Sequence, residues 1–180
     1  FSPTEDRGLP PGSCGLYLGG GYPELHARAL SGNAPMREAV RRAVEGGMPA
    51  LAECGGFLYL QKTLEDPEGS AWPMAGALGG AGVKTSRLQR FGYVTLTARG
   101  DTPYLRQGET IAAHEFHRWD CTRNGDLCRA ERPSGRAGWD CMTGRENLLA
   151  GFPHLYFPSN PQFAPRFVSA CRRYREKEHL

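Results

Sequence analysis

The first sixty residues alternate between two hydrophobic periods, and this alternation restricts the fold more than any other feature of the chain. Residues 15–18 form a short apolar run closed by Gly19-Gly20-Gly21, the pattern of a buried strand that ends in a tight glycine turn. Asn33 then offers a helix cap with Pro35 just inside it. Met36, Ala39, Val40, Ala43 and Val44 share one helical face before Gly46-Gly47 stops the helix. Pro49-Ala50-Leu51-Ala52-Glu53 reads as a second buried strand, and Gly55-Gly56-Phe57-Leu58-Tyr59-Leu60 opens a second helix. Strand, helix, strand and helix in this order predict a parallel α/β sheet with right-handed crossovers.

Beyond Phe91 the pattern turns to short β runs, at 93–97, 111–116, 126–130, 139–142 and 148–154, separated by glycine, proline or charged turns. A last helix is predicted from Asn160-Pro161, with Phe163, Ala164, Phe167, Val168 and Cys171 on one face, before the charged residues 172–177 fray into solvent. Residues 76–82 are glycine-rich, which suits either a mobile loop or one lying close to a ligand.

Composition narrows the class. A chain of 180 residues, 39% of them hydrophobic, can fill one core, so residues 1–180 are read as one domain. The 24 glycines and 14 prolines suit many short connections rather than a helical bundle. The net charge is +3, and Arg41, Arg42, Arg87, Arg90 and Arg136 are scattered rather than aligned, which argues against nucleic acid as a partner. No apolar run approaches the roughly 18 residues of a membrane span. Six cysteines without a C-x-x-C pair are too dilute for a disulfide scaffold and lack zinc-site spacing, and the expected compartment is a reducing cytoplasm. The opening Phe1-Ser2-Pro3 reads as lying inside something longer.

Cys54 is the most informative position. In Ala52-Glu53-Cys54-Gly55-Gly56 it closes a buried strand and opens a helix, the arrangement of a nucleophile elbow. The helix N-terminus is expected to lower its pKa, and the following glycines leave room for substrate and free N–H groups for an oxyanion. An inert core cysteine fits the same spacing. A thiol nucleophile needs a proton carrier. His154, at the end of the last strand, is the best placed of five histidines, although a half-buried histidine bonded to a backbone carbonyl would look the same. His26 and His179 are expected to be solvated. In His114-Glu115-Phe116-His117 the two histidines are three apart on a strand-like run, so their rings point to opposite faces and a zinc site is disfavoured. The glycine turn 19–21 could present N–H groups to negative charge, whereas Val83 interrupts the phosphate-loop pattern in Gly82-Val83-Lys84-Thr85.

Five ordered segments, Leu16 through Glu24, Ala52 through Phe57, Arg90-Phe91-Gly92-Tyr93, His114-Glu115-Phe116-His117 and His154-Leu155-Tyr156-Phe157, together closely resemble the glutaminase domain of cobyrinic acid a,c-diamide synthases. That family belongs to the class I glutamine amidotransferases of the cobyric-acid-synthase type. The resemblance implies a three-layer, flavodoxin-like α/β fold with a mostly parallel sheet flanked by helices. It implies Cys54 as nucleophile, His154 as proton relay, and Gly20, Gly21 and Gly55 around the oxyanion, with His114, His117 and Arg90 as substrate contacts. It further implies glutamine as substrate and no metal or cofactor in this domain. ATP and magnesium would serve a synthetase domain, fused or separate, that carries the tetrapyrrole; that domain and an initial strand and helix would precede this chain. A homodimer is left open. Where many relatives of this class carry a glutamate two residues after the histidine, this chain has Tyr156, so something else orients His154 or the site is a dyad. A stand-alone cysteine hydrolase of amide or γ-glutamyl bonds and a non-catalytic binding module are the competing readings.

Overall fold

The structure, a computed structural model, describes residues 1–135 and 137–178, so Arg136 and His179 lie outside the described residues. The chain begins with β1 (Leu16–Leu18), a 3-10 turn (Pro23–His26), α1 (Ala27–Gly32), α2 (Ala34–Glu45), β2 (Ala50–Glu53) and α3 (Gly55–Tyr59). Short strands follow: β3 (Thr63–Glu65), β4 (Ala71–Pro73) and β5 (Ala81–Val83). Then come the long β6 (Arg90–Ala98) and β7 (Thr110–His117), and β8 (Asp120–Cys121), β9 (Cys128–Glu131) and β10 (Gly138–Cys141). The last elements are β11 (Thr143–Arg145), β12 (Leu148–Gly151), β13 (His154–Leu155) and α4 (Phe163–Glu178).

The elements read from periodicity form for the expected reasons. The Asn33 side chain accepts from the Met36 N–H at 3.5 Å and caps α2, which buries Met36, Val40 and Val44. β1, β2 and β12 pair in parallel, with β11 added antiparallel at the edge, in the order β1-β2-β12-β11. Two further sheets flank this one, an antiparallel β10-β9-β6-β7-β13 and a small β4-β3-β5-β8, so the fold is α/β with mixed pairing.

The central sheet separates two cores. Ala50, Ala52, Leu148 and Ala150 face Met36, Val40, Val44 and Phe57, whereas Leu51 and Leu149, one residue out of phase, face Val94, Leu96, Ile111, Tyr104 and Phe163. Each of the larger of these side chains contributes about 1.5–3 kcal/mol by leaving water.

Three local expectations are corrected. Residues 172–177 do not fray: α4 continues through them to Glu178, since Arg, Glu and Lys are good helix formers on a solvated face. The same helix begins at Phe163, after a 3-10 turn (Phe157–Ser159), and Val168 is exposed rather than on the buried face. Within 76–82, Gly80 and Gly82 pack closely on Gln61, Leu58 and Leu64. Among the described residues, no helix is long and apolar enough to cross a membrane.

Candidate active site

Cys54 stands where β2 meets α3, with φ 48° and ψ −104°, a left-handed conformation that costs a non-glycine residue energy. Its N–H donates to the Gly151 carbonyl at 2.8 Å, so the β2–β12 ladder extends up to the strained residue and holds it there. The turn after β1 packs directly against this elbow. The Gly56 N–H donates to the Gly19 carbonyl at 3.0 Å, and a Cβ on Gly55 would lie 2.7 Å from the Gly21 carbonyl oxygen. Glycine at 55 is therefore required by contact with the 19–21 turn. A Cβ on Gly20 would lie 2.3 Å from His154 Cε1, so that turn also touches the imidazole. Gly20, Gly21 and Gly55, with Cys54 next in sequence and His154 against Gly20, thus lie together at the carboxyl end of the central sheet. A cleft of about 390 Å³ adjoins them, lined by Gly19, Gly20, Gly21, Gly55 and Gly56, with Tyr17 and Tyr22 beside them; neither Cys54 nor His154 lines it.

Cys54 itself is 8% exposed. Burial pushes its thiol up to about 11, and the charges of Glu24, Glu115 and Glu53 add to the rise, against a Gly55 N–H that favours the thiolate. The expected lowering by the helix N-terminus is thereby corrected: α3 has only five residues, too little dipole to offset burial among carboxylates. At neutral pH the sulfur rests as a thiol and needs a base to take its proton when an electrophile arrives.

Glu53 is a participant that sequence reasoning missed. It is 3% exposed at the end of an all-buried strand. Its Oε1 accepts the Leu155 N–H at 3.0 Å, its Oε2 accepts the Tyr17 hydroxyl at 2.8 Å, and His154 Nδ1 stands 4.0 Å from Oε2. Burial raises its pKa, while those donors and the nearby imidazole lower it. The one available signal was a carboxylate ending an otherwise apolar strand, because a buried charge requires partners. Glu24, also buried, is a second acid within electrostatic reach of the sulfur.

The expected substrate contacts, like Cys54 and His154 themselves, are not among the residues lining the cleft. His117 points inward: its Nδ1 lies 2.7 Å from the Trp119 carbonyl, and its ring stacks on Phe152 at 3.8 Å. Arg90 sits over the Trp139 ring at 4.8 Å. His114 lies on the opposite face from His117, as their spacing predicts, in register with His154 across β7 and β13.

This constellation can be set beside known proteins. The model of the CobB/CobQ-like glutamine amidotransferase domain matches residues 1–162. The chain belongs to that family. The amidotransferase domain is 39% identical over 179 residues to the cobyrinate a,c-diamide synthase of Caldanaerobacter subterraneus subsp. tengcongensis, covering 98% of this chain and 40% of that protein. It is 38% identical over 180 residues to the hydrogenobyrinate a,c-diamide synthase of Thermobifida fusca, covering 97% of this chain and 37% of that one. The domain therefore spans about two fifths of the length of these curated relatives. A crystal structure of a glutamine amidotransferase superposes with a TM-score of 0.59 at 18% identity, over 88% of this chain and 79% of the other, which shows the fold alone.

Proposed function

We propose that this domain is the glutaminase part of an ATP-dependent amidotransferase of corrinoid biosynthesis, supplying ammonia for the a,c-diamidation of cobyrinic acid or a related tetrapyrrole. Cys54 Sγ attacks the side-chain carbonyl of glutamine while His154 takes the thiol proton; His154 then gives that proton to the departing amine, releasing ammonia and leaving a glutamyl thioester. Water, deprotonated by the same imidazole, hydrolyses the thioester to glutamate. Backbone N–H groups at Gly20, Gly21 and Gly55 receive the oxyanion. The high pKa of the buried thiol makes the imidazole necessary for attack, because little thiolate is present at neutral pH.

The observation that carries the reading is the strained Cys54 backbone beside the glycine turn 19–21, which packs against both the elbow and the His154 ring. Glu53 supports it against a non-catalytic module, since it supplies from before the nucleophile the carboxylate that Tyr156 does not offer after the histidine. The share of each relative left uncovered accommodates a synthetase part that uses ATP and magnesium, and the reaction belongs in the cytoplasm. The test is ammonia release from glutamine by the full-length protein. Cys54→Ala is expected to reduce it by about a thousandfold or more; undiminished release would sink the proposal.

A further inference from the structure

The antiparallel sheet β10-β9-β6-β7-β13 breaks its own pattern beside His154. An antiparallel sheet with one solvated face carries polar residues outward. In β6 the outward positions far from the site obey that rule, with Thr95 and Thr97, but those near it are Tyr93, 75% exposed, and Phe91, 59% exposed. In β7 the outward partner of Phe91 is Phe116, 44% exposed, and the partner of Tyr93 is His114. The rings touch edge to face, Phe91 with Phe116 at 5.8 Å and Tyr93 with His114 at 5.2 Å. Register then continues the row, because Tyr93 pairs with His114 and His114 pairs with His154. Cross-strand partners share a face, so the exposed aromatic stripe runs into the imidazole of the site.

We propose that this face of β6 and β7 is the surface on which the remaining, synthetase part of the full-length protein docks, bringing its acceptor to His154; this rests on the glutaminase reading above. Glutamine does not explain the stripe. The glycine-lined cleft includes none of these rings, and a small zwitterion has no use for three large exposed rings. What does fit is a macromolecular surface, since contiguous exposed aromatics mark protein contacts and become their anchoring residues. The relatives carry about three fifths of their length beyond the part matched here, enough for such a partner in the same polypeptide. Ammonia freed at His154 into bulk water would be protonated and lose its nucleophilicity, so a partner sealed around that histidine also serves the chemistry.

Two measurements on the full-length protein decide it. Hydroxyl-radical footprinting should find Tyr93 and Phe91 protected about tenfold relative to the unfolded protein at every concentration. Equal reactivity in the two states overturns the proposal, and so does protection lost on dilution, which would assign the face to a second copy. In Phe91→Ser/Tyr93→Ser, amidation of cobyrinate driven by ammonium chloride and glutamine hydrolysis should both persist, while glutamine-driven amidation falls by roughly tenfold. Unchanged glutamine-driven amidation overturns the proposal. The footprint does not depend on glutamine hydrolysis, so failure of the docking surface and failure of the glutaminase reading are told apart.

Discussion

The carboxylate of Glu53 joins three elements at one point: the end of β2 just before Cys54, the Tyr17 hydroxyl from β1, and β13 through the Leu155 N–H and the His154 ring. In the proposed mechanism, the imidazolium formed when His154 takes the Cys54 proton would lie 4.0 Å from a buried carboxylate, where a weakly screened charge has more effect than in water. Glu53→Gln keeps the shape and an acceptor for one of its two donors, most simply the Leu155 N–H, but removes that charge. Glutamine hydrolysis should fall by roughly tenfold or more, in kcat rather than KM, because Glu53 faces the imidazole and not the substrate. Tyr17→Phe, which leaves the carboxylate in place, should stay near the parent. Steady-state assay of both variants checks this, and parent-like Glu53→Gln would remove Glu53 from the mechanism. The elbow at Cys54 was legible in sequence because it depends on five consecutive residues. The role of Glu53 was not, because it exists only once Leu155, about a hundred residues later, folds back on it.

At the scale of elements, β13 is only two residues long, and it carries His154. Its two residues pair with His114 and Ala113 of β7, and the turn that follows is tied down by Ser159, whose Oγ accepts from the Ala112 N–H at 2.8 Å. Such a strand has no period to read, so its pairing with β7 could not be seen in the sequence, whereas the alternation of β6 and β7 could. The parallel order read from the first sixty residues holds for β1 and β2, while the antiparallel partners of the later strands are chosen by long-range register that local periodicity does not show. α4 is fastened to the same sheet by Arg166, whose guanidinium makes two hydrogen bonds with Glu109. That contact, first of all, holds the Glu109 carboxyl well below its ordinary value of 4.5, at about 2. A depressed carboxylate stabilises the fold fully above its unfolded value and loses that contribution as pH falls through the folded one, here between about 4.5 and 2. Both partners are partly solvated, so the pair is worth about 1 kcal/mol or less. Arg166→Met should therefore lower Tm by roughly 2–4 °C near neutral pH. The difference should close as pH falls from 4.5 towards 2. Thermal melts across that range check it; a constant difference would mean that the ion pair carries no share.

At the scale of the whole molecule, the central sheet belongs to both cores, and this decides how the domain comes apart. Leu51 is flanked in β2 by Ala50 and Ala52, which face the helices α2 and α3, while Leu51 itself faces the core beneath β6, β7 and α4. Tyr104, fully buried, fastens the two sides by placing its hydroxyl 2.9 Å from the Asn147 carbonyl and 3.2 Å from that of Ala50. Neither core can lose its wall without exposing the other. Leu51→Ala should cost about 2–4 kcal/mol through a cavity in the second core, and that loss should be felt equally in the first. The tryptophans report the two regions separately, since Trp72 and Trp119 pack on the first core and Trp139 on the second. In urea titrations of single-tryptophan versions carrying Leu51→Ala, all midpoints should shift together. A midpoint at Trp72 that stays at the parent value while Trp139 moves would show two independent units and refute the shared sheet as the source of cooperativity. The same coupling explains how a strained cysteine is tolerated: the ladder that holds Cys54 at φ 48° unfolds only with the whole molecule, so the cost of that conformation is spread over the stability of both cores.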